Sequence, residues 1–402
     1  MIRIILLIIL FSIKPIWSQN FKKIDSLIEN SISLKAFPGA QVYLKKANYT
    51  YSKSYGFHTY DSIVKVEQDH LYDLASITKT LAATLAIMKL YDEKKIRLDD
   101  VISKHIKKLS GSNKKNSSFH ELLIHQSGWK PYISHQFSLI KKNKNLKSRF
   151  INTKNDDNKA EVAKNLFIKK NFYNKIVRKI KRSKIETKGE YSYSGLFFCL
   201  VPEIVQNISG KSFESFLNEN FYSKIGVDLL FNPLKRFPLN KIVPTEEDLV
   251  FRKQLIQGYV HDETAAIMGG VSGNAGLFGS ANDVGKISEL LLNKGKYNNE
   301  EIIKENTVKY FSNPENYKNE SDVRGLGFDK PRLTSKGIMY PNENLSHLSY
   351  GHTGFTGTFY WIDPKNETIL VLLTNRVYPS RSYENLYDLD IRRKLISLVI
   401  EN

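Results

Sequence analysis

The apolar positions change period along this chain, and the changes mark out its parts. Phe21, Ile24, Leu27, Ile28 and Ile32 recur at three- and four-residue spacing, which predicts a helix over 21–35. Pro38-Gly39 ends it. Gln41–Lys45 and Tyr49–Tyr55 alternate and predict paired strands. Asp73–Leu90 returns to helical spacing, with Ile77, Leu81, Leu85 and Met88 on one face. From about 95 to 310 the pattern is helix-rich with long loops. Within it, 158–182 predicts a basic amphipathic helix with Val162, Leu166, Tyr173, Val177 and Ile180 on its apolar side. The end is again β: Gly357–Ile362 and Thr368–Thr374, with a turn at Asp363-Pro364. A helical stripe of Leu386, Leu389, Leu395, Ile396 and Val399 closes the chain over 382–400. Strands and a helix at both ends, with helices between, predict a mixed α and β fold. One sheet subdomain is assembled from about 19–75 and 320–402, and a mostly helical subdomain, about 76–319, is inserted within it.

The first eighteen residues read differently. Met1-Ile2-Arg3 is a short positive start, Ile4–Ile13 is apolar but too short to span a bilayer, and Ser18 is a small residue at a cleavage point. Residues 1–18 are therefore expected to be a cleavable signal peptide, the protein to be periplasmic or secreted, and no stable membrane anchor to remain. An N-terminal anchor is the alternative. No cysteine lies nearby to carry a lipid.

With 41% hydrophobic residues the 402-residue chain has the composition of a globular protein with a large core. Cys199 is the single cysteine, which excludes an intramolecular disulfide and a cysteine-based zinc site, and its apolar neighbours predict buried packing. The net charge of +19 invites a nucleic-acid reading. Its distribution argues otherwise: 141–188 alone holds 17 Lys or Arg against 4 Asp or Glu. That segment reads as a solvated face, as a wall that attracts anionic fragments, or as a contact with anionic membrane. Together with export, a single local patch argues against a nucleic-acid partner.

The candidate chemistry centres on Ser76-Ile77-Thr78-Lys79. Ser-x-x-Lys occurs five times, beginning at Ser62, Ser76, Ser112, Ser127 and Ser138, so the motif alone selects nothing. Ser76 differs because it falls at a predicted helix start, where free N–H groups and the positive dipole end favour an oxyanion. Residues i and i+3 share a helix face, so the Lys79 amine can reach the hydroxyl and act as its base. A lysine amine titrates near pH 10.4. A lysine base working near neutrality therefore needs a shift of roughly three units, about 4 kcal/mol, from burial or a second cation. Tyr191-Ser192-Tyr193-Ser194-Gly195 supplies a phenol that could relay a proton. Gly351-His352-Thr353-Gly354-Phe355-Thr356-Gly357-Thr358 supplies a flexible turn with His352 and Thr353 to bind a carboxylate or move a proton.

In this order the segments resemble the serine β-lactamase and penicillin-binding-protein family, in its class C-like branch. Leu122-Leu123-Ile124-His125-Gln126-Ser127-Gly128 is similar to the family's segment after the nucleophile helix. Val260–Glu263, Gly269–Phe278, Arg324–Asp329 and Thr374-Asn375-Arg376 resemble a wall-associated subgroup. The resemblance implies a β-lactamase/transpeptidase-like fold, an antiparallel sheet flanked by helices beside an all-helical part, with the site between them. It implies Ser76 as the acylated nucleophile, Lys79 as base, and Tyr193 as the second proton-transfer group. By the same resemblance His352-Thr353-Gly354 stands in place of Lys-Thr-Gly, and the oxyanion hole would be the Ser76 and Phe355 N–H groups.

Two departures matter. Gly195 replaces the amide of the family's Tyr-x-Asn element, and His352 would lose its charge above roughly pH 6.5. Both move the expectation from a dedicated β-lactamase toward hydrolysis of amide bonds in peptidoglycan or muropeptides, of carboxypeptidase or muramoyl-peptide amidase type. β-Lactams and small esters become secondary substrates. The alternative of another class is a catalytically weak wall-binding protein on the same scaffold. No cofactor or metal is expected: His261-Asp262-Glu263 are adjacent, and adjacent residues rarely face one ion. The glycine-rich run 269–276 lacks the order of a phosphate cradle.

Overall fold

The computed structural model describes residues 21–313, 324–334 and 337–400. The expected signal peptide lies outside them. The alternating segments near the N-terminus form a hairpin of β1 (Gly39–Lys46) and β2 (Tyr49–Gly56), in register from Gly39↔Gly56 to Lys46↔Tyr49. Three strands come from the other end of the chain: β3 (Tyr350–Thr353), β4 (Phe359–Asp363) and β5 (Thr368–Thr374). The sheet order is β3-β4-β5-β1-β2, antiparallel throughout, and β5 lies against β1 with Ala40 opposite Thr374. The sequence reading takes His352-Thr353-Gly354, in the segment that opens at Gly351, as a turn ahead of the strand that starts at Gly357. The first residues of that segment instead form edge strand β3, which carries His352 and Thr353.

Five helices position the site: α1 (21–33), α2 (Leu85–Asp92), α3 (Tyr173–Arg182), α4 (Ala281–Leu292) and α5 (Ile391–Ile400). Alternation sends the two faces of the sheet into different cores. Val42, Leu44, Phe359, Trp361, Leu370 and Leu372 pack under α1 and α5 with Ile24, Ile28, Leu395 and Val399. Tyr43, Tyr360, Ile362, Ile369, Val371 and Leu373 face the larger core, which runs on through the helical part. Each such apolar side chain contributes on the order of 1.5–3 kcal/mol. Helix α4 lies on that second face, although the sequence reading assigned its residues to the inserted part. Gly285 permits the approach, since a Cβ there would stand 2.5 Å from the Tyr43 ring.

Two expected helices are different in form. Asp73–Leu90 is not one helix. Tyr72–Asp73 pairs as a short strand with Phe278–Gly279, a 3₁₀ turn covers Ala75–Ile77, and Lys79–Thr84 is π-helical before α2 begins. All of Ile77–Met88 is buried, so this element is central rather than amphipathic. The expected helix 158–182 begins only at Tyr173. Residues Lys159–Ala163 and Leu166–Lys169 are antiparallel strands completed by Ile151–Asn152. Asn165, at φ +57°, makes the turn between them, and Leu166 and Ile168 alternate inward.

Candidate active site

Ser76 sits half-buried in the 3₁₀ turn Ala75–Ile77. Ala75 before it is held at φ +45°, a left-handed conformation that costs a non-glycine residue about 1–2 kcal/mol. Asp73 holds it there. Its Oδ1 accepts the Ala75 N–H at 2.8 Å and its Oδ2 accepts the His261 N–H at 2.6 Å. Burial pushes the Asp73 carboxyl above its ordinary range, and those two N–H groups oppose that effect.

Lys79 is 3% exposed. Its Nζ lies 2.9 Å from Ser76 Oγ and donates to the Asn274 carbonyl at 2.9 Å. It faces the rings of Tyr193 at 5.2 Å and Phe198 at 5.8 Å. The carbonyl comes from the glycine-rich run that sequence reasoning left without a role. The Asn274 side chain fixes that loop: Oδ1 accepts from Ser272 Oγ at 2.6 Å, and Nδ2 donates to Asp262 Oδ1 at 3.2 Å. Cys199 donates to the same Oδ1 at 3.3 Å, and burial pushes its thiol up to about 12, consistent with packing rather than reactivity.

Tyr193 brings its ring into the same cluster. The His125 ring centroid is 4.6 Å away, that of His352 6.1 Å, and the Arg324 guanidinium carbon lies 5.6 Å from the ring. The tyrosine turn is held by His125, whose Nδ1 accepts the Ser194 N–H at 3.1 Å and whose carbonyl accepts the Ser192 N–H at 2.8 Å. Burial, with Arg324 and Lys79 nearby, drives the His125 imidazole well below its ordinary value and keeps it neutral. Gly195 borders Lys79 directly, since a Cβ there would lie 3.9 Å from Lys79 Cε and 3.8 Å from Asn274 Cβ.

His352 departs from expectation. It is 2% exposed, and burial, reinforced by Arg324 and Lys79 against the pull of Asp329, lowers it to about 4. It is therefore neutral at physiological pH and offers no cation to a substrate carboxylate. Its Nδ1 lies 2.7 Å from the Thr353 carbonyl, which can only accept, so the proton is on Nδ1 and Nε2 is a bare acceptor. No partner for Nε2 is found among the described residues. Beside it Arg324 and Asp329 form a buried ion pair, and Asp329 is tied to β3 by backbone bonds to Gly351 at 2.9 and 3.1 Å. Burial alone would raise the Asp329 carboxyl, but Arg324, together with His352, Arg332 and Lys79, brings it below its ordinary range.

The turn after β3 docks on the serine segment. Thr356 Oγ1 donates to the Asp73 carbonyl at 2.8 Å and Thr358 Oγ1 to the Leu74 carbonyl at 3.1 Å. Thr353 is half-buried at the strand end. Gly354 is so close to Leu74 and Ala75 that the Phe355 backbone is brought beside the turn carrying Ser76. The Phe355 side chain is 48% exposed, stacked between His261 at 5.7 Å and the Arg376 guanidinium at 4.7 Å. His261, Asp262 and Glu263 each face a different partner: Glu246, the N–H of Ala265, and Arg381.

Ser76, Lys79, Tyr193 and His352 thus converge, with Thr353, Gly354 and Phe355 along one side. Asp73, His125, Asn274 and the Arg324–Asp329 pair join them. Sequence reasoning had quoted most of these residues without assigning them a part.

The Beta-lactamase family model matches residues 24–393. An Escherichia coli K12 protein provisionally named D-alanyl-D-alanine carboxypeptidase is 31% identical over 388 residues, covering 89% of this chain and 82% of the relative. A penicillin-binding protein homolog from Caulobacter crescentus has the same fold at a TM-score of 0.66 and 16% identity, over 94% of this chain and 96% of that one. D-amino acid amidase from Ochrobactrum anthropi SV3 matches at 0.65 and 14% identity, over 95% and 98%. The expected antiparallel sheet with flanking helices is the fold these structures share.

Proposed function

The chain belongs to the Beta-lactamase family and is a serine hydrolase, and from that premise we propose that it cleaves amide bonds of peptidoglycan or its fragments through an acyl-enzyme. The observation that carries this reading is the buried Lys79 amine 2.9 Å from Ser76 Oγ, with its second bond made to a carbonyl rather than a carboxylate. The donor bond to the Asn274 carbonyl anchors the amine within reach of the hydroxyl. Ser76 Oγ attacks the substrate carbonyl carbon while its proton passes to Lys79 Nζ. The oxyanion is met by the Ser76 and Phe355 N–H groups, a type of interaction worth about 3–4 kcal/mol per donor. Tyr193 conveys the proton to the departing amine. Water then attacks the ester, its proton returns through Lys79, and the acid leaves with Ser76 restored.

The provisional name of the E. coli relative supports a wall-peptide substrate. Gly195 and the neutral His352 weigh against efficient β-lactam hydrolysis, because position 195 carries no side-chain amide and position 352 carries no cation. β-Lactams and small esters remain secondary substrates in this reading. The tight Ser76–Lys79 pair weighs against a purely wall-binding protein. The N-terminal segment supports placement in the periplasm or outside the cell. Among the described residues no helix is long and apolar enough to cross a membrane.

A fluorescent penicillin or a fluorophosphonate should label the wild type and not Ser76→Ala. Mass spectrometry of muropeptides digested by each protein should show a product that only the wild type makes. Equal labelling and identical digests would overturn the assignment.

A further inference from the structure

Beyond the reacting cluster, one concave surface carries charge without compensation. A groove of about 540 Å³ lies between Lys130 and Tyr132 on one side and Arg178, Lys179, Arg182 and Lys184 on the other. None of its five cationic residues has a carboxylate within ion-pair distance among the described residues, whereas nearby Lys108 and Lys188 are paired with Glu203 and Glu121. The closest acids past Tyr132 are engaged elsewhere: Glu263 with Arg381, and Asp262 at the start of the helix Glu263–Ile267. Cations are favoured at a helix C-terminus, which accounts for Lys179 and Arg182 at the end of α3. It does not account for Lys130 and Lys184, which lie off the helix, or for the 47% exposed Tyr132 ring beside them.

The groove is wired to the candidate active site through the backbone. The Lys130 carbonyl accepts from Ser194 Oγ at 2.7 Å, and the Pro131 carbonyl accepts the Gly195 N–H at 3.2 Å. On its far side Lys114 Nζ donates to the Ser183 carbonyl at 2.6 Å, and the Glu186 N–H to the Gly128 carbonyl at 2.7 Å. One stretch, 128–131, therefore forms a wall of the groove and a support of the Tyr193 turn.

We propose that this groove holds the carboxylates of a peptidoglycan strand, the acidic peptide stems, while a neighbouring amide is presented to Ser76. The proposal rests on the wall-hydrolase reading of the site. Peptide carboxylates match unpaired guanidinium and ammonium groups, and the Tyr132 face suits a sugar or peptide backbone. A single-stranded nucleic acid would also meet cations and an aromatic ring. The adjoining hydrolase cluster favours the carboxylated peptide.

The test uses Ser76→Ala protein, which should bind without turnover, and pelleting with purified insoluble peptidoglycan. Arg178→Glu/Arg182→Glu in that background should bind at least about tenfold more weakly at about 50 mM salt, with the difference vanishing near 0.5 M as screening shortens the reach of the charges. Lys142→Glu/Lys164→Glu changes net charge equally at two exposed positions away from the groove, and should bind like its parent. Thermal melting establishes that each variant is folded. Equal loss in both double variants, no loss in either, salt-insensitive pelleting, or better competition by single-stranded DNA than by soluble muropeptides would each overturn the proposal. If wild type leaves muropeptides uncut but pelleting still depends on Arg178 and Arg182, the groove stands and the hydrolytic reading falls. Cleavage by wild type with pelleting indifferent to those arginines removes the groove alone.

Discussion

Replacing Gly354 by alanine tests whether the β3–β4 turn sets the geometry at Ser76. A methyl group there would overlap Thr358 Oγ1 and stand 2.6 Å from the Leu74 carbonyl oxygen and 3.2 Å from Ala75 Cβ. The hydroxyl cannot simply rotate away, because it donates to that same carbonyl at 3.1 Å. The Leu74 carbonyl is backbone, two residues before Ser76. Restoring a carbon–oxygen contact of about 3.3 Å requires a shift of roughly 0.7 Å between the turn and the serine segment. A displacement approaching 1 Å at a reacting centre costs on the order of 10²-fold in rate, about 2.7 kcal/mol of transition-state stabilisation. The overpacking itself should lower stability by about 1–3 kcal/mol. Gly195→Ala is the matched control: its methyl would meet only Asn274 Cβ at 3.8 Å and Lys79 Cε at 3.9 Å, both ordinary contacts. The assay is the second-order rate of fluorophosphonate labelling, at a temperature below both melting transitions. Gly354→Ala should fall about a hundredfold and Gly195→Ala no more than a few-fold. A Gly354→Ala rate near wild type, or equal slowing in both, would refute the reasoning.

Three further outcomes are expected. His352 is held near 4 against an ordinary 6.5, so the unfolded chain takes up its proton first as pH falls. Its contribution to stability is complete above pH 6.5 and is lost toward pH 4, about 2 kcal/mol of it by pH 5. His352→Gln should remove that share of the difference in urea stability between pH 7.5 and pH 5. A slope remains from His58 and His135, which burial also lowers to about 4, and an unchanged difference would sink the account. Asp73→Asn sets an amide N–H against one of the two N–H groups the carboxylate now accepts. It should cost about 1–3 kcal/mol in denaturant stability and slow Ser76 labelling, and labelling at the wild-type rate would count against Asp73 as a positioning residue. His125→Phe removes the acceptor for the Ser194 N–H and should lower kcat more than it raises KM, while His125→Asn, which keeps an acceptor near the Nδ1 position, should recover most of the loss. Equal effects of the two would show that bulk rather than the hydrogen bond matters.

Much of the fold is written in the period of the side chains. The alternation in 39–56 and 368–374 sorts residues to the two cores, and the stripe in 21–33 covers one of them. The misreading of 158–169 has a definite origin: Val162 and Leu166 are four apart, which fits a helix face and also two strands separated by a turn. Only Asn165, able to adopt positive φ, distinguished them. Ser76 and Lys79 could be singled out among five equal spacings because a predicted helix start and the side-chain segments at Tyr193 and His352 accompany them. Asn274 could not, because it acts on Lys79 through a carbonyl that every residue possesses. Asp73 meets His261 through a backbone N–H 188 positions away, a contact with no local signature. The charge of His352 depends on burial by elements far apart in the chain, so its ordinary pKa was the wrong guide.

The pairing of Ala40 with Thr374 also has a meaning in time. As the chain is made, β1 and β2 emerge early and wait with an open edge, since their partner β5 comes near the end. The threonines that fasten the serine segment, Thr356 and Thr358, arrive with that same late portion. Such long-range closure is slow because the intervening loop must be ordered first. A nascent or truncated chain ending before Thr368 therefore carries both Ser76 and Lys79 yet lacks the frame that aligns them. The order of synthesis thus separates the residues of the candidate site from the strand and the turn that hold them in place.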